Sequence, residues 1–354
     1  MQRPRTARGI RSVASRAMVS IATVSRALNK PESVSAEVRS RIQAAIRELG
    51  YIPQASARAL ATRRTRTLGA IIPTIDNAMF ARGIEALQKY LMSTGYMLLL
   101  TTSGYDLDVE LEQARNLISR GVDGLILRGD SHRKQLRDLL SSHGVPFVCA
   151  GVYLPDRAYP TIGVDNEAAA YRAMSYMIDL GHRKIGIVSA LQRNNDRASA
   201  RVRGFRKALT EHAILLPEEW VLEVQYNLDQ AREAARRLIA MSRRPSGIVC
   251  GNDVIAYGVL LEAERNGLLV PRDLSVIGFD DLEWSRHLRP SLTTIQAPTD
   301  TTWQRSGEYL VRHLAGETGL KHQELDFSLV VRESTAAVAR TGDLATADAK
   351  KGRA

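Results

Sequence analysis

The sequence predicts an α/β protein in which a small all-α headpiece precedes two doubly wound parallel-sheet lobes. Three observations carry this. The basic surplus of the chain is confined to its first fifth, three helical stripes separated by turn signals follow one another between residues 9 and 52, and from Thr67 apolar strands alternate with amphipathic helices in two successive rounds. Strands with continuous apolar runs between such helices form parallel sheets covered on both faces.

The head is built first. A helical pattern from Arg11 to Ala17 buries Val13, Ala14 and Ala17, and Met18-Val19-Ser20 interrupts it. Ser20 is placed to cap a second helix, Ile21 to Asn29, with Val24, Ala27 and Leu28 on its inner stripe. A third helix follows Pro31, capped by Ser35, with Val38, Ile42, Ile46 and Leu49 at helical spacing and Gly50 ending it. Ala14, Val19 and Val24 are small, as a steep helix-turn-helix crossing requires.

The charge points to what such a head binds. Residues 1–68 hold fourteen Lys or Arg against three Asp or Glu, which accounts for the whole net charge of +11; the other 286 residues balance at 35 of each sign. A basic head on a neutral body is the footprint of polyanion binding, because cations that neutralise phosphates release condensed counterions. A solvated basic arm or a targeting peptide is the alternative. The composition, 44% hydrophobic and 25% charged, is that of a globular protein of two or three domains. No run reaches the roughly 18 apolar residues of a membrane span, and Met1 to Ile10 lacks the apolar segment of a secretory signal, so a cytoplasmic protein is expected. Cys149 and Cys250 sit singly in apolar runs and read as buried core thiols.

The body begins with the strand L-G-A-I-I-P, then helix G-I-E-A-L-Q-K-Y-L-M, strand Y-M-L-L-L, a helix from Val109 to Arg120 and strand G-L-I-L-R. A second round opens at His182 to Val188 and continues through G-I-V-C-G-N-D and L-S-V-I-G-F-D-D. The two rounds form a weak internal repeat. Ligands of doubly wound sheets bind beyond the carboxyl ends of the strands, so a cleft between two such lobes would surround a ligand with loops from both.

The string V-S-I-A-T-V-S-R-A-L-N, followed by V-S-A-E-V-R-S-R-I-Q-A-A-I-R-E-L-G-Y-I-P, resembles the headpiece of the lactose repressor and purine repressor family of bacterial transcription regulators. Q-A-S-A-R-A-L-A after Pro53 looks like that family's hinge helix, and the resemblance continues to about residue 335 through L-G-H-R-K-I-G, R-V-R-G-F-R-K-A-L, C-G-N-D, V-P-R-D-L-S-V-I-G-F-D-D and P-S-L-T-T-I. It implies a headpiece at 9–52, a hinge and linker at 53–66, and a periplasmic-binding-protein-like effector and dimerisation domain at 67–335. Its lobes would be 67–162 with 293–322, and 163–292 with 323–335, before a disordered tail at 336–354. Two departures stand out: Met18 replaces the usual Gly of the turn, and Gly151 stands where an Asp often binds ligand, which makes a bulkier or acidic ligand conceivable.

Site residues follow from the same resemblance. Arg26 is placed for a guanine edge, with a phosphate contact or a solvated face as its alternative; Ile21 and Ala22 offer apolar contact such as a thymine methyl. Thr23 and Ser25 are suited to phosphates, Ser20 and Asn29 bracket the same helix, and Leu60 matches the leucine wedged into the minor groove, with Ala57 and Ala61 beside it. Effector contacts are expected from Arg201, three residues before Gly204-Phe205, from Asp280, Asn252 and Tyr226, and from Met79 and Phe80 after the first strand. For Arg201 the alternative is an interlobe salt bridge, and for Asp253 a helix cap. No catalytic or phosphate-loop string is present, the seven histidines form no ligand spacing, and no cofactor is expected. The expectation is a homodimeric regulator, more a repressor than an activator, that binds pseudo-palindromic operator DNA and a sugar-like effector, with a tetramer left open. The rival readings are a sugar-binding transport protein and a doubly wound enzyme with a basic arm.

Overall fold

Three helices packed around one small core make up the described part of the first of the two units, Met1–Arg66 and Thr67–Ala354, into which the chain divides. The computed structural model describes residues 9–52 and 64–338. Most of the expected hinge, including Ala57, Leu60 and Ala61, and the tail beyond 338 lie outside the described residues.

In the first unit α1 (Ile10–Ala17), α2 (Ile21–Asn29) and α3 (Ala36–Leu49) close over Val13, Ala14, Ala17, Val24, Ile42 and Ala45. Both serine caps form: Ser20 Oγ accepts from the Thr23 amide at 3.1 Å and Ser35 Oγ from the Val38 amide at 3.4 Å. Met18 adopts the left-handed conformation that glycine favours (φ 54°, ψ 50°), with its side chain 80% exposed. Arg41 of α3 steadies this turn: its guanidinium donates to the carbonyls of Ala17 (2.9 and 3.2 Å) and Met18 (3.3 Å), a cation at the carboxyl end of α1. Because the exposed Met18 side chain packs little and its backbone is strained, Met18→Gly should stabilise the head by up to about 1 kcal/mol. Slower amide exchange at Val13–Ala17 and Ile42–Ala45 would report it; unchanged or faster exchange would contradict it.

The second unit holds two six-stranded sheets. The first contains β1 (Thr67–Ile72), β2 (Met97–Thr102), β3 (Gly124–Arg128), β4 (Phe147–Ala150), β5 (Thr161–Gly163) and β11 (Gln323–Glu324), in the order β11-β5-β4-β3-β1-β2 and parallel throughout. The second contains β6 (Ile185–Ala190), β7 (Val221–Val224), β8 (Gly247–Cys250), β9 (Ser275–Phe279), β10 (Thr293–Gln296) and β12 (Ser328–Val330), ordered β12-β10-β9-β8-β6-β7, with only β12 antiparallel. Helices α4 (Ala78–Ser93), α5 (Leu107–Ser119), α6 (Lys134–Ser142) and α11 (Thr299–Leu314) belong to the first lobe; α7 (Asn166–Asp179), α8 (Asp196–Glu211), α9 (Leu228–Ile239) and α10 (Asp253–Arg265) belong to the second. Cys149 and Cys250 are buried free thiols near strand ends.

The chain crosses between lobes three times, at boundaries that differ from those expected. Thr293–Gln296, expected in the first lobe, pairs with β9 of the second, because three of its four residues are buried there. Gln323–Glu324, expected in the second lobe, pairs with β5 of the first. The expected tail also starts too early. Ser334 is fully buried, the Ala336 carbonyl lies 3.2 Å from His182 Nε2, and the Val338 amide donates to the Leu180 carbonyl, so 336–338 are packed against the second lobe.

Candidate DNA-reading helix and effector cleft

In the head, α2 presents Ile21, Ala22 and Arg26 on its exposed face, while Thr23, Ser25 and Asn29 are half-buried. Ser20 and Thr23 are tied together, their hydroxyls 2.8 Å apart, and Asn29 Nδ2 lies 3.4 Å from Ser25 Oγ. Arg16 is paired with Glu48 of α3 and Arg41 with the α1 terminus, so Arg26 is the basic side chain that α2 itself holds outward. A short helix with exposed small and apolar residues at its start and an exposed guanidinium in its last turn has the dimensions to enter a major groove.

In the second unit Arg201 and Asp280 come together as expected. Arg201, on α8, donates from Nε to Asn166 Oδ1 (3.1 Å), from Nη1 to the Gly251 carbonyl (2.6 Å) and from Nη2 to Asp280 Oδ1 (3.4 Å), and its guanidinium lies 3.5 Å from the Phe279 ring centre. The ion pair is therefore internal to the second lobe rather than a bridge between lobes. Asp280 follows β9 at φ 104°, and its Oδ2 has no partner among the described residues. Burial holds its carboxyl above the usual range, against the opposing pull of Arg201 and Arg128.

Asn252, not Asp253, caps α10: its Oδ1 accepts from the Ile255 amide at 2.9 Å. Asp253 instead receives the Leu282 amide and the hydroxyls of Ser285 and Thr294, fastening the segment after β9 to the helix; burial pushes its pKa up to about 7. Met79 and Phe80 are buried at the start of α4, where Met79 Sδ is 3.5 Å from Arg128 Nη2 and the Phe80 ring centre 5.7 Å from that guanidinium. Tyr226 stands apart, beside Tyr105 at 6.4 Å between ring centres and 3.4 Å from Asn195 Nδ2. The tyrosine pair lines an interlobe hollow of about 650 Å³, whereas Arg201 and Asp280 line a cavity of about 20 Å³, room for about one water.

Sequence reasoning missed two arginines in this cleft. Arg197 at the start of α8 reaches across to the Arg128 carbonyl (3.1 Å) and pairs with Asp196 (2.9 Å). Asp196 in turn accepts from the Asp130 amide (3.0 Å), and its own amide donates to Ser131 Oγ (3.2 Å). These bonds latch the lobes together. Arg128, at the end of β3, leans over Gly151: a Cβ there would fall 1.3 Å from Arg128 Nη1, and Gly151 has φ 88°. Only the departure at Gly151 hinted at this, since a missing side chain leaves room that something else must fill. Among the described residues no three His, Cys, Asp or Glu side chains are grouped to hold a metal, and no helix is long and apolar enough to cross a membrane.

Comparison with known proteins agrees with both halves of this arrangement. Residues 9–54 match the model described as bacterial regulatory proteins, lacI family, and residues 174–335 match a periplasmic binding protein-like domain. The chain is 32% identical to the HTH-type transcriptional repressor PurR of Salmonella paratyphi B over 311 residues, covering 87% of this chain and 91% of that protein, and 33% identical to PurR of Escherichia fergusonii over the same spans. The lac repressor dimer bound to operator and the anti-inducer ONPF superposes with a TM-score of 0.81 at 26% identity, covering 92% of this chain and 98% of that one. The transcriptional regulator CelR in its cellobiose complex gives a TM-score of 0.68 at 28% identity, covering 92% and 99%. With a three-helix reading head and a two-lobed binding domain in one chain, and relatives of this identity and coverage, the chain belongs to the lacI family of bacterial regulatory proteins and is a DNA-binding transcriptional regulator rather than an enzyme.

Proposed function

We propose that this regulator is a homodimeric repressor acting at the nucleoid in the cytoplasm, and that a small sugar or sugar derivative bound between its lobes controls its hold on a pseudo-palindromic operator. The observation that carries this reading is the union, in one chain, of an outward Arg26 on α2 with the buried Arg201 and Asp280 pair beside an interlobe cavity. In this reading Arg26, Ile21 and Ala22 meet base edges, Ser20, Thr23, Ser25 and Asn29 face the backbone, and Ala57 and Leu60 engage a bent minor groove. Arg201, Asp280, Asn252, Tyr226, Met79 and Phe80 form or support the effector site. Effector shifts the equilibrium between lobe arrangements only through contacts that differ between them. Selecting duplexes from a random pool with the full chain, alone and with pooled metabolites, then screening metabolites for loss or gain of binding, tests this; a folded chain that enriches no duplex at low salt under either condition would refute it.

A second copy of the chain fits the apolar face of α10. Trp284 is 68% exposed, and with exposed Leu228, Leu261 and Leu269 it rims a largely apolar hollow of about 700 Å³ that also reaches Ala78 of the first lobe. An exposed apolar patch of this kind marks an interaction surface. Losing a central aromatic anchor typically costs about 2 kcal/mol or more, so Trp284→Glu should weaken the dimer roughly 30-fold and operator binding with it. Sedimentation across a concentration series measures this; an unchanged dimer constant moves the interface elsewhere.

A further inference from the structure

The cleft carries more positive charge than a neutral sugar would satisfy. Three guanidinium groups, Arg128, Arg197 and Arg201, converge where the lobes meet. Two have carboxylates: Asp196 lies 2.9 Å from Arg197, and Asp280 lies 3.4 Å from Arg201. Arg128 has none. It donates to the Ala150 carbonyl at 3.1 Å and the Met79 thioether at 3.5 Å and lies 5.7 Å from the Phe80 ring centre, and its Nε is buried without a partner among the described residues. Burial first, and then the neighbouring charge of Arg197, lower its pKa to about 9, which still leaves it charged at neutral pH. A desolvated charge without a counterion in contact is unfavourable unless a ligand completes it.

The surrounding walls refine the picture. Arg128 and Arg201 line the same small cavity with Gly151, Asn166 and Asp280. Asn166 links the two sides, donating to the Gly151 carbonyl at 3.0 Å while accepting from Arg201. Arg128 fills the space above Gly151, so an Asp at that position would collide with it as it now lies. The unpartnered Asp280 Oδ2 remains as an acceptor for a hydroxyl. Since the cavity has room for about one water, ligand must part the lobes or move Arg128 to enter.

We infer that the effector is a hydroxylated acid, with an oxyanion taken by the guanidinium groups of Arg128 and Arg201 and a hydroxyl by Asp280. The inference rests on the regulator reading and names the chemical class that its effector site takes. A planar guanidinium suits carboxylate and phosphate alike, so sugar acids and sugar phosphates share the required chemistry.

The test titrates the full chain calorimetrically with matched probes: glucose, gluconate, glucuronate and glucose 6-phosphate. The expected result is binding of at least one acid and at least tenfold weaker binding of glucose, with the carboxylate and phosphate arms telling which source is taken. Arg128→Gln should reduce acid affinity at least tenfold and glucose affinity far less. Arg128→Met, which removes the unpaired charge, should raise the melting temperature of the ligand-free chain by a few degrees. Glucose binding as tightly as the acids, no binding by any acid, an Arg128→Gln protein that keeps its acid affinity, or an Arg128→Met protein that melts lower would each overturn the inference. Duplex selection by the wild-type chain, with and without pooled metabolites, tests the regulator reading independently, so failure of one is distinguishable from failure of the other.

Discussion

Raising the salt from 50 to 200 mM should weaken the operator complex by about 10³ to 10⁵, because a dimer carrying this head is expected to neutralise about 6 to 10 phosphates. The surplus of +11 lies wholly within residues 1–68, and the rest of the chain is neutral. Internal pairing trims the number of cations available. Arg16 is held by Glu48, and Arg41 caps α1, whereas Arg11, Arg26, Lys30 and Arg47 are exposed. The slope should therefore fall toward the lower end of that range. Removing residues 1–66 should abolish duplex binding and leave a folded, dimeric effector domain, since the sheets and their helices lie within Thr67–Ala354. Electrophoretic shifts across a salt series measure both, and a complex indifferent to salt would refute the assignment of the head.

The head was legible because its signals are local. Ser20 and Ser35 cap where a serine before an apolar stripe should, and Val13, Ala14, Ala17 and Val24 are buried in the pattern their spacing implies. The lobes were legible as alternating strands and helices, but their boundaries were not. Thr293–Gln296 reads as a strand in either lobe, and only the pairing of Thr293 with Ile277 decides between them. The close of the second lobe was missed for a related reason: Ala336 looks like tail, but its place depends on His182 and Ser275, distant in sequence.

The candidate effector cleft was half legible. Arg201 and Asp280 lie beside recognisable strings, so their meeting was foreseeable. Arg128 ends the strand G-L-I-L-R, and a charge there ordinarily marks a strand leaving the core. Nothing local says that it turns over Gly151, 23 positions later, or that Arg197 takes its carbonyl. Arg41 was hidden in the same way: it lies on α3 but serves the end of α1, 23 positions earlier at Met18.

Arg201→Ala should destabilise the effector domain by about 3 to 5 kcal/mol, the range found when one partner of a buried ion pair is removed. The loss has several parts. Asp280 would keep a buried carboxylate with no cation in contact, the Gly251 carbonyl and Asn166 Oδ1 would lose their donors, and Phe279 would lose the guanidinium over its ring. For a domain of this size the melting temperature should drop on the order of 10 °C. Below that transition the head is untouched, so operator affinity without effector should stay within a few fold, while effector binding falls at least tenfold with the loss of a charged hydrogen bond. Asp280→Asn separates stability from recognition. Asn tolerates φ 104° better than most residues and still offers an oxygen to Arg201, so its melting temperature should fall far less. Its effector response should nevertheless be lost, because the anionic acceptor is gone. Scanning calorimetry and effector titration of both variants decide the matter: normal response in a folded Asp280→Asn protein, or an Arg201→Ala protein that melts with the parent, would show that the pair is neither the effector contact nor the support of the cleft.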